Sequence, residues 1–357
     1  MQPNLPLALT YDDVSLIPKF SNVASRSEIS LTTRLTKNYK LILPYIASCM
    51  STVCEFKMAH SMMVLGGVGC IHRFLSISDQ CDEVKYVIEL MHLDSICHIW
   101  GNINIPVMAA VGATGDYLER AELLADAGVN VLLIDVAHGH HENVKIAIGV
   151  LKNKLPSHVD IMAGNVATED ATRALCEWGA DGIRCNVGTG SVCTTRIMTG
   201  HGVPSITSIE ECVRGADKFD TPVMADGGIR TSGDITKALA VGADSVMLGS
   251  LLAGTQETPG PVIENHPGPR LCKSYQGSAS LETKISNNRD IRNIEGISTL
   301  VPFKGKLKYT IFGLNDGVRS GLSYSGCRTI SEFQSKATYV QITNAGHVES
   351  RPHLTGL

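Results

Sequence analysis

Two patterns alternate along the chain. Short apolar, β-branched runs end in glycine or a polar residue, and each gives way to roughly ten to fifteen residues with helical spacing. Eight runs read as buried parallel strands: Leu43–Ala47, Gly67–Ile71, Pro106–Ala110, Val129–Ile134, Val159–Ala163, Asp181–Cys185, Pro222–Ala225 and Asp244–Leu248. Helical spacing fills Glu55–Leu65, Asp79–His92, Tyr117–Ala127, Glu142–Leu151, Glu169–Trp178, Ile209–Ala216 and Gly233–Ala240. Ser78, Thr168 and either Thr231 or Ser232 stand where N-caps belong. Gly-Ala-Asp at 179–181 and again at 242–244, with Ala-Gly-Val-Asn at 127–130, marks helix ends turning back into the next strand. This alternation predicts an α/β fold, a (β/α)8 or TIM barrel, as a single domain over residues 1–357.

In such a barrel, side chains just past the carboxyl ends of the strands face the active site. That rule selects Asp135 after the fourth strand, residues 186–200 after the sixth, Asp226-Gly227-Gly228 after the seventh and Gly249-Ser250 after the eighth. Small residues after strands seven and eight expose backbone N–H groups and suit a phosphate; the alternative is a pair of tight strand-to-helix turns. Gly188 and Gly190 let the sixth loop turn sharply and present Cys193 among hydroxyls. A thiol there is a candidate nucleophile, against the alternative of a small buried hydrophobe. Asp226, followed by two glycines, suits a ribose diol, whereas Asp135 is equally placed to cap the next helix.

Composition narrows the function. A net charge of −4, with 43% hydrophobic and 18% charged residues, gives neither a basic surface for nucleic acid nor the polarity of disorder. No run of 18 apolar residues and no charged-then-apolar N-terminus occur, so no membrane partner and a cytoplasmic location are expected. The 11 cysteines are odd in number and lack a disulfide or zinc spacing, which reads as core thiols in a reducing compartment. His138, His140 and His141 could converge on a metal but have no regularly spaced acidic or thiol partner.

Three motifs then carry a likeness. Gly188-Thr-Gly190-Ser191-Val-Cys193-Thr194-Thr195-Arg196, Ala225-Asp226-Gly227-Gly228-Ile229-Arg230 and Met247-Leu248-Gly249-Ser250-Leu251 resemble the IMP dehydrogenase and GMP reductase superfamily, in order and spacing. The likeness runs from Leu9 to about Ala337. It implies a barrel that binds a purine monophosphate (GMP or IMP), with Cys193 adding to C2 of the base and Thr195 with Glu295 passing a proton. It assigns Asp226 to the ribose, Ser191, Gly228, Gly249, Ser250 and Tyr275 to the phosphate, and Gly227 to the substrate between them. Gly277, Ser278, Arg292 and Gly296 fall to the base and a flap over about 275–300, and Thr114, Asp135, Val136 and Ala137 to the nicotinamide cofactor. The carbonyls of Gly188, Gly190 and Cys193 would hold potassium, the tail from Gly346 to His353 resembling the segment that completes a neighbouring subunit's site, and a homotetramer is implied.

Within the superfamily the sequence leans to the reductase, with NADPH as cofactor. Only Phe74–Ile105 fills the interval where dehydrogenases usually carry a regulatory insertion, and the flap lacks their water-activating Arg-Tyr pair, Arg289-Asp290 being the nearest match. Asp135-Val-Ala137 and Ser25-Arg-Ser-Glu28 also recur in reductases, whereas Leu65-Gly-Gly-Val-Gly69 and the tail lean to the dehydrogenase. Three readings stand: GMP reductase, IMP dehydrogenase, and a purine nucleotide-binding protein without turnover. The chain departs from the family at Asn186, where a glycine is usual, at Thr189, where a proline is, and at Ser51, where a carboxylate is.

Overall fold

The computed structural model describes residues 5–93, 100, 103–266, 268, 271–286, 291–292 and 294–352. Eight parallel strands close into a barrel: β1 (Tyr45–Ala47), β2 (Val68–Ile71), β3 (Met108–Val111), β4 (Val131–Asp135), β5 (Asp160–Val166), β6 (Gly182–Cys185), β7 (Val223–Asp226) and β8 (Ser245–Leu248). Each strand pairs with its sequence neighbours, and β8 returns to β1 through Val246 beside Tyr45 and Leu248 beside Ala47. All eight predicted strands form, and the (β/α)8 expectation holds. The strands are buried on both faces, as an all-parallel sheet wrapped by helices requires.

Helices follow the strands in turn: α1 (Phe56–Leu65), α2 (Ile77–Leu93), α3 (Tyr117–Asp126), α4 (Glu142–Lys154), α5 (Glu169–Glu177), α6 (Ser205–Ala216), α7 (Ser232–Ala240) and α8 (Leu307–Tyr324). Thr168 and Thr231 cap α5 and α7, the latter with Asp234 in a reciprocal capping box. Ser78 lies inside α2; the hydroxyl that receives the Asp79 N–H belongs to Ser76. Asp135 caps nothing: His141 does so for α4, its Nδ1 accepting the Asn143 N–H at 3.1 Å.

The apolar pattern gives no sign of α8, and its sequence shows why. Gly313, Gly317 and Gly321 recur every four residues, a composition that weakens a helix in isolation. In place, a Cβ on Gly317 would lie 2.1 Å from the Ser232 hydroxyl, and one on Gly321 would lie 2.5 Å from Thr236. The bare stripe therefore lets α8 close against α7, and packing replaces the missing propensity.

Between β8 and α8 the chain builds the flap on a hairpin of β9 (Leu271–Gln276) and β10 (Ser298–Pro302). Val14–Leu16 and Tyr339–Gln341 form a separate antiparallel pair that joins the two ends of the described chain. Among the described residues no helix is long and apolar enough to cross a membrane, and no group of three His, Cys, Asp or Glu could hold a metal ion. His140 instead packs on Trp178, ring centroids 5.9 Å apart.

Candidate active site

The carboxyl ends of the strands open into a cavity of about 390 Å³. Loop 186–194, the turns after β7 and β8, and the flap form its walls. Asn186, buried, takes φ 89°, a left-handed conformation that asparagine tolerates better than most side chains, so the departure from glycine keeps a glycine-like backbone. Gly188 also has positive φ; Gly190 does not. Thr189, where a proline is usual, ties the loop by a different means, its hydroxyl donating to the Asp226 carbonyl at 2.9 Å.

Cys193 is half-buried at the cavity wall. Its thiol donates to Thr195 Oγ1 at 3.1 Å, the Thr195 hydroxyl donates to Glu295 Oε2 at 2.7 Å, and the Thr195 N–H points at the sulfur at 3.4 Å. Thr195 opens a short helix, Thr195–Thr199, which holds its N–H and hydroxyl on the side of the thiol. Glu295 arrives from the flap because the two backbones pair: Thr194 N–H donates to the Glu295 carbonyl at 3.0 Å, and Ile297 N–H to Val192 at 2.9 Å. Gly296 lies in this pairing opposite Cys193, where a Cβ would meet Ser280 N at 3.1 Å. Its part is close backbone approach; it does not line the cavity.

On the opposite wall, Gly227 and Gly228 both have positive φ, which leaves their turn open. Gly249 and Ser250 line the cavity beside Tyr275, whose hydroxyl lies 3.3 Å from Ser191 Oγ and 2.7 Å from where a Cβ on Gly249 would be. Burial pushes the Tyr275 phenol above its ordinary value, more than the Ser191 hydrogen bond lowers it, so it stays a proton donor at neutral pH. Gly277 and Ser278 line the flap side. Arg292, expected here, is exposed and outside the lining; its carbonyl accepts the Lys284 ammonium, and Lys284 does face the cavity. Arg289-Asp290 lies outside the described residues.

Across the floor runs a polar chain that the sequence reading missed. Arg184, buried within β6, donates to Asp135 Oδ1 at 2.6 Å and, through Nε and its second terminal nitrogen, to Asp226 Oδ2 at 3.0 and 2.9 Å. Asn165 Nδ2 joins at Asp226 Oδ2, 3.0 Å, and Arg73 Nε at Asp135 Oδ2, 3.2 Å. Burial opposes the Arg184 charge, but Asp226, Cys49 and Asp135 hold the guanidinium well above even its usual range. Burial likewise pushes Asp135 up, and Arg184 with Arg73 outweighs it, leaving that carboxyl below the ordinary range. A lone arginine in the apolar run Gly-Ile-Arg-Cys was the available signal.

Asp135, Val136 and Ala137 line the same cavity. Thr114 does not; it lies in an adjoining cavity of about 280 Å³ with His138, His141 and Asn143. Arg73 and Val136 belong to both walls, so the two spaces adjoin.

Comparison with known proteins agrees with this geometry. Residues 8–353 match the family model described as IMP dehydrogenase / GMP reductase domain. The chain is 40% identical to inosine-5'-monophosphate dehydrogenase of Cryptosporidium parvum, over 98% of this chain and 96% of that protein. It is 33% identical to GMP reductase of Leishmania major, over 98% of both. A solved structure, a cysteine-to-alanine variant of Trypanosoma brucei GMP reductase in complex with guanosine 5'-monophosphate, superposes with a TM-score of 0.90 at 32% identity, over 98% of each chain. The chain therefore belongs to the IMP dehydrogenase / GMP reductase family, oxidoreductases of purine metabolism that use a nicotinamide cofactor.

Proposed function

We propose that the protein is a GMP reductase, converting GMP to IMP and ammonia with NADPH. The observation that carries this reading is a flap without an Arg-Tyr pair, no tyrosine occurring between Tyr275 and Tyr309, beside the contact chain Cys193–Thr195–Glu295, which by itself suits either reading. Water activation by an Arg-Tyr pair has no residues to perform it, whereas a proton path to a leaving amine is built. The Trypanosoma structure, in which a Cys-to-Ala variant holds GMP, supports a purine nucleotide in this cavity.

The chemistry follows from the donors. The thiol proton passes through Thr195 to Glu295 as Cys193 Sγ bonds to C2 of guanine. The same path returns a proton to the 2-amino group, which leaves as ammonia as the C2–N bond breaks. A bound nicotinamide would be the source of the hydride that C2 gains, and departure of the Cys193 thiolate from C2 would leave IMP. Gly227, Gly228, Gly249, Ser250, Ser191 and Tyr275 would hold the phosphate, and Asp226 the ribose. Asp135, Val136 and Ala137, with Thr114 in the adjoining space, would hold the cofactor; the shared Arg73 and Val136 leave room for a molecule reaching from one cavity into the other.

Potassium belongs to the same proposal, held by the carbonyls of Gly188, Gly190 and Cys193 in a homotetramer. The Gly190 carbonyl already accepts the Cys193 N–H at 3.0 Å, so an ion there would be its second partner.

IMP dehydrogenase is the second reading, favoured by the Cryptosporidium relative. Length does not separate the two. The alignment to the Leishmania reductase runs over 482 residues, more than this chain contains, while that to the Cryptosporidium dehydrogenase runs over 397. The short interval Phe74–Ile105 therefore loses its weight as a sign of the reductase. The near-ultraviolet absorbance of reduced nicotinamide decides between the readings. A fall with GMP plus NADPH is expected; a rise with IMP plus NAD and no fall with GMP would establish the dehydrogenase, and silence in both a binding protein without turnover.

A further inference from the structure

Among the described residues, the phosphate side of the cavity holds no cation of its own. Ser191, Gly228, Gly249, Ser250 and Tyr275 are neutral, yet a nucleotide monophosphate carries close to two negative charges at neutral pH. Among the described residues, the cationic ones lining the cavity are Arg73, Arg184 and Lys284. Arg184 is committed to Asp135 and Asp226, Arg73 to Asp135, and Lys284 to the Arg292 carbonyl.

A positive charge sits directly behind the cradle. After β8 the chain makes a single helical turn, Leu252 and Ala253 N–H both donating to the Gly249 carbonyl at 3.0 and 2.9 Å. The next two carbonyls, of Ser250 and Leu251, accept no backbone N–H among the described residues. Lys304 Nζ takes both, at 2.8 and 3.0 Å. The Lys304 backbone N–H donates to the Gly254 carbonyl at 2.8 Å, so one residue clamps the turn from Ser250 to Gly254. An ammonium at the carbonyl end of a turn favours the dipole direction that aims N–H groups the other way. Here the amino end of that turn, Gly249 and Ser250, faces the cavity.

We propose that Lys304 is a positioning residue for the nucleotide phosphate: it fixes the 249–253 turn and supplies, through that turn, the positive charge the cradle lacks. The proposal rests on the purine monophosphate reading. Lys304 stands just past β10, so it also ties the root of the flap that carries Glu295 to the turn that receives the phosphate.

The test measures binding of GMP and of guanosine to the full chain by calorimetry, for the natural protein, Lys304→Met and Lys304→Arg. Lys304→Met is expected to weaken GMP about 10-fold, a modest effect because the lysine is exposed, while guanosine binding changes by less than about twofold. Lys304→Arg should recover most of the GMP affinity. In turnover the loss in kcat/KM should fall on KM for GMP more than on kcat. If Lys304→Met does not fold, Lys304→Gln replaces it. Undiminished GMP binding in the neutral variant, or equal losses for GMP and guanosine, would overturn the proposal. A natural protein that binds neither GMP nor IMP would instead remove the nucleotide reading, and this proposal with it.

Discussion

Cys193→Ala is expected to lower turnover by on the order of 10^4-fold or more while GMP still binds. The sulfur is the atom proposed to bond to C2, and the hydroxyl beside it does not replace it: Thr195 Oγ1, 3.1 Å away, is already donating to Glu295. Binding survives because the proposed phosphate and ribose contacts lie on other elements, at Gly228, Gly249, Ser250, Tyr275 and Asp226. Thr195→Val is the companion experiment. It keeps the thiol but cuts the path to Glu295, and should cost about 10²- to 10⁴-fold, the usual range for a lost proton relay. With GMP and no cofactor, mass spectrometry of Thr195→Val should show less Cys193 adduct than the natural protein, since the same hydroxyl takes the thiol proton as the bond to C2 forms. Turnover by Cys193→Ala within tenfold of the natural protein would exclude the covalent route.

What the sequence disclosed and what it hid divide along a physical line. The barrel strands were legible because burial on both faces forces continuous apolar runs, and their glycine-rich ends could be placed at the mouth without any contact known. Cys193, Asp226, Gly249 and Ser250 followed from that placement. Arg184 was hidden because it sits inside such a run, and which residues of a four-residue strand point inward depends on barrel closure. Asn165 was hidden because β5 runs to Val166, three residues past the apolar stretch that signalled it. Gly296 and Arg292 were assigned to substrate from likeness alone; one serves backbone pairing with the nucleophile loop and the other sits outside the cavity lining. Pairing between segments a hundred residues apart leaves no periodic trace, which is also why the flap hairpin was expected only as a flap.

Arg184→Leu is expected to be the most destabilising single change at the site, by about 3–5 kcal/mol at neutral pH, because it leaves Asp135 with Arg73 alone and takes from Asp226 its arginine partner in a poorly solvated floor. Leucine fills much of the volume, so the cost is electrostatic and should therefore depend on pH. In the natural protein the Asp135 carboxyl is held below its ordinary value, so its stabilising contribution is complete above about pH 4 and is lost as pH falls through the lowered value. In the variant the largest compensating charge is gone and burial dominates, which raises that carboxyl above its unfolded value. Ionisation then opposes folding at neutral pH, and protonation relieves the opposition as pH falls. The gap in melting temperature between the two proteins should accordingly be widest near pH 7 and narrow toward pH 4. A gap that stays constant over that range would show that Arg184 acts by packing alone, and would remove the charge chain Arg73–Asp135–Arg184–Asp226 as a source of stability.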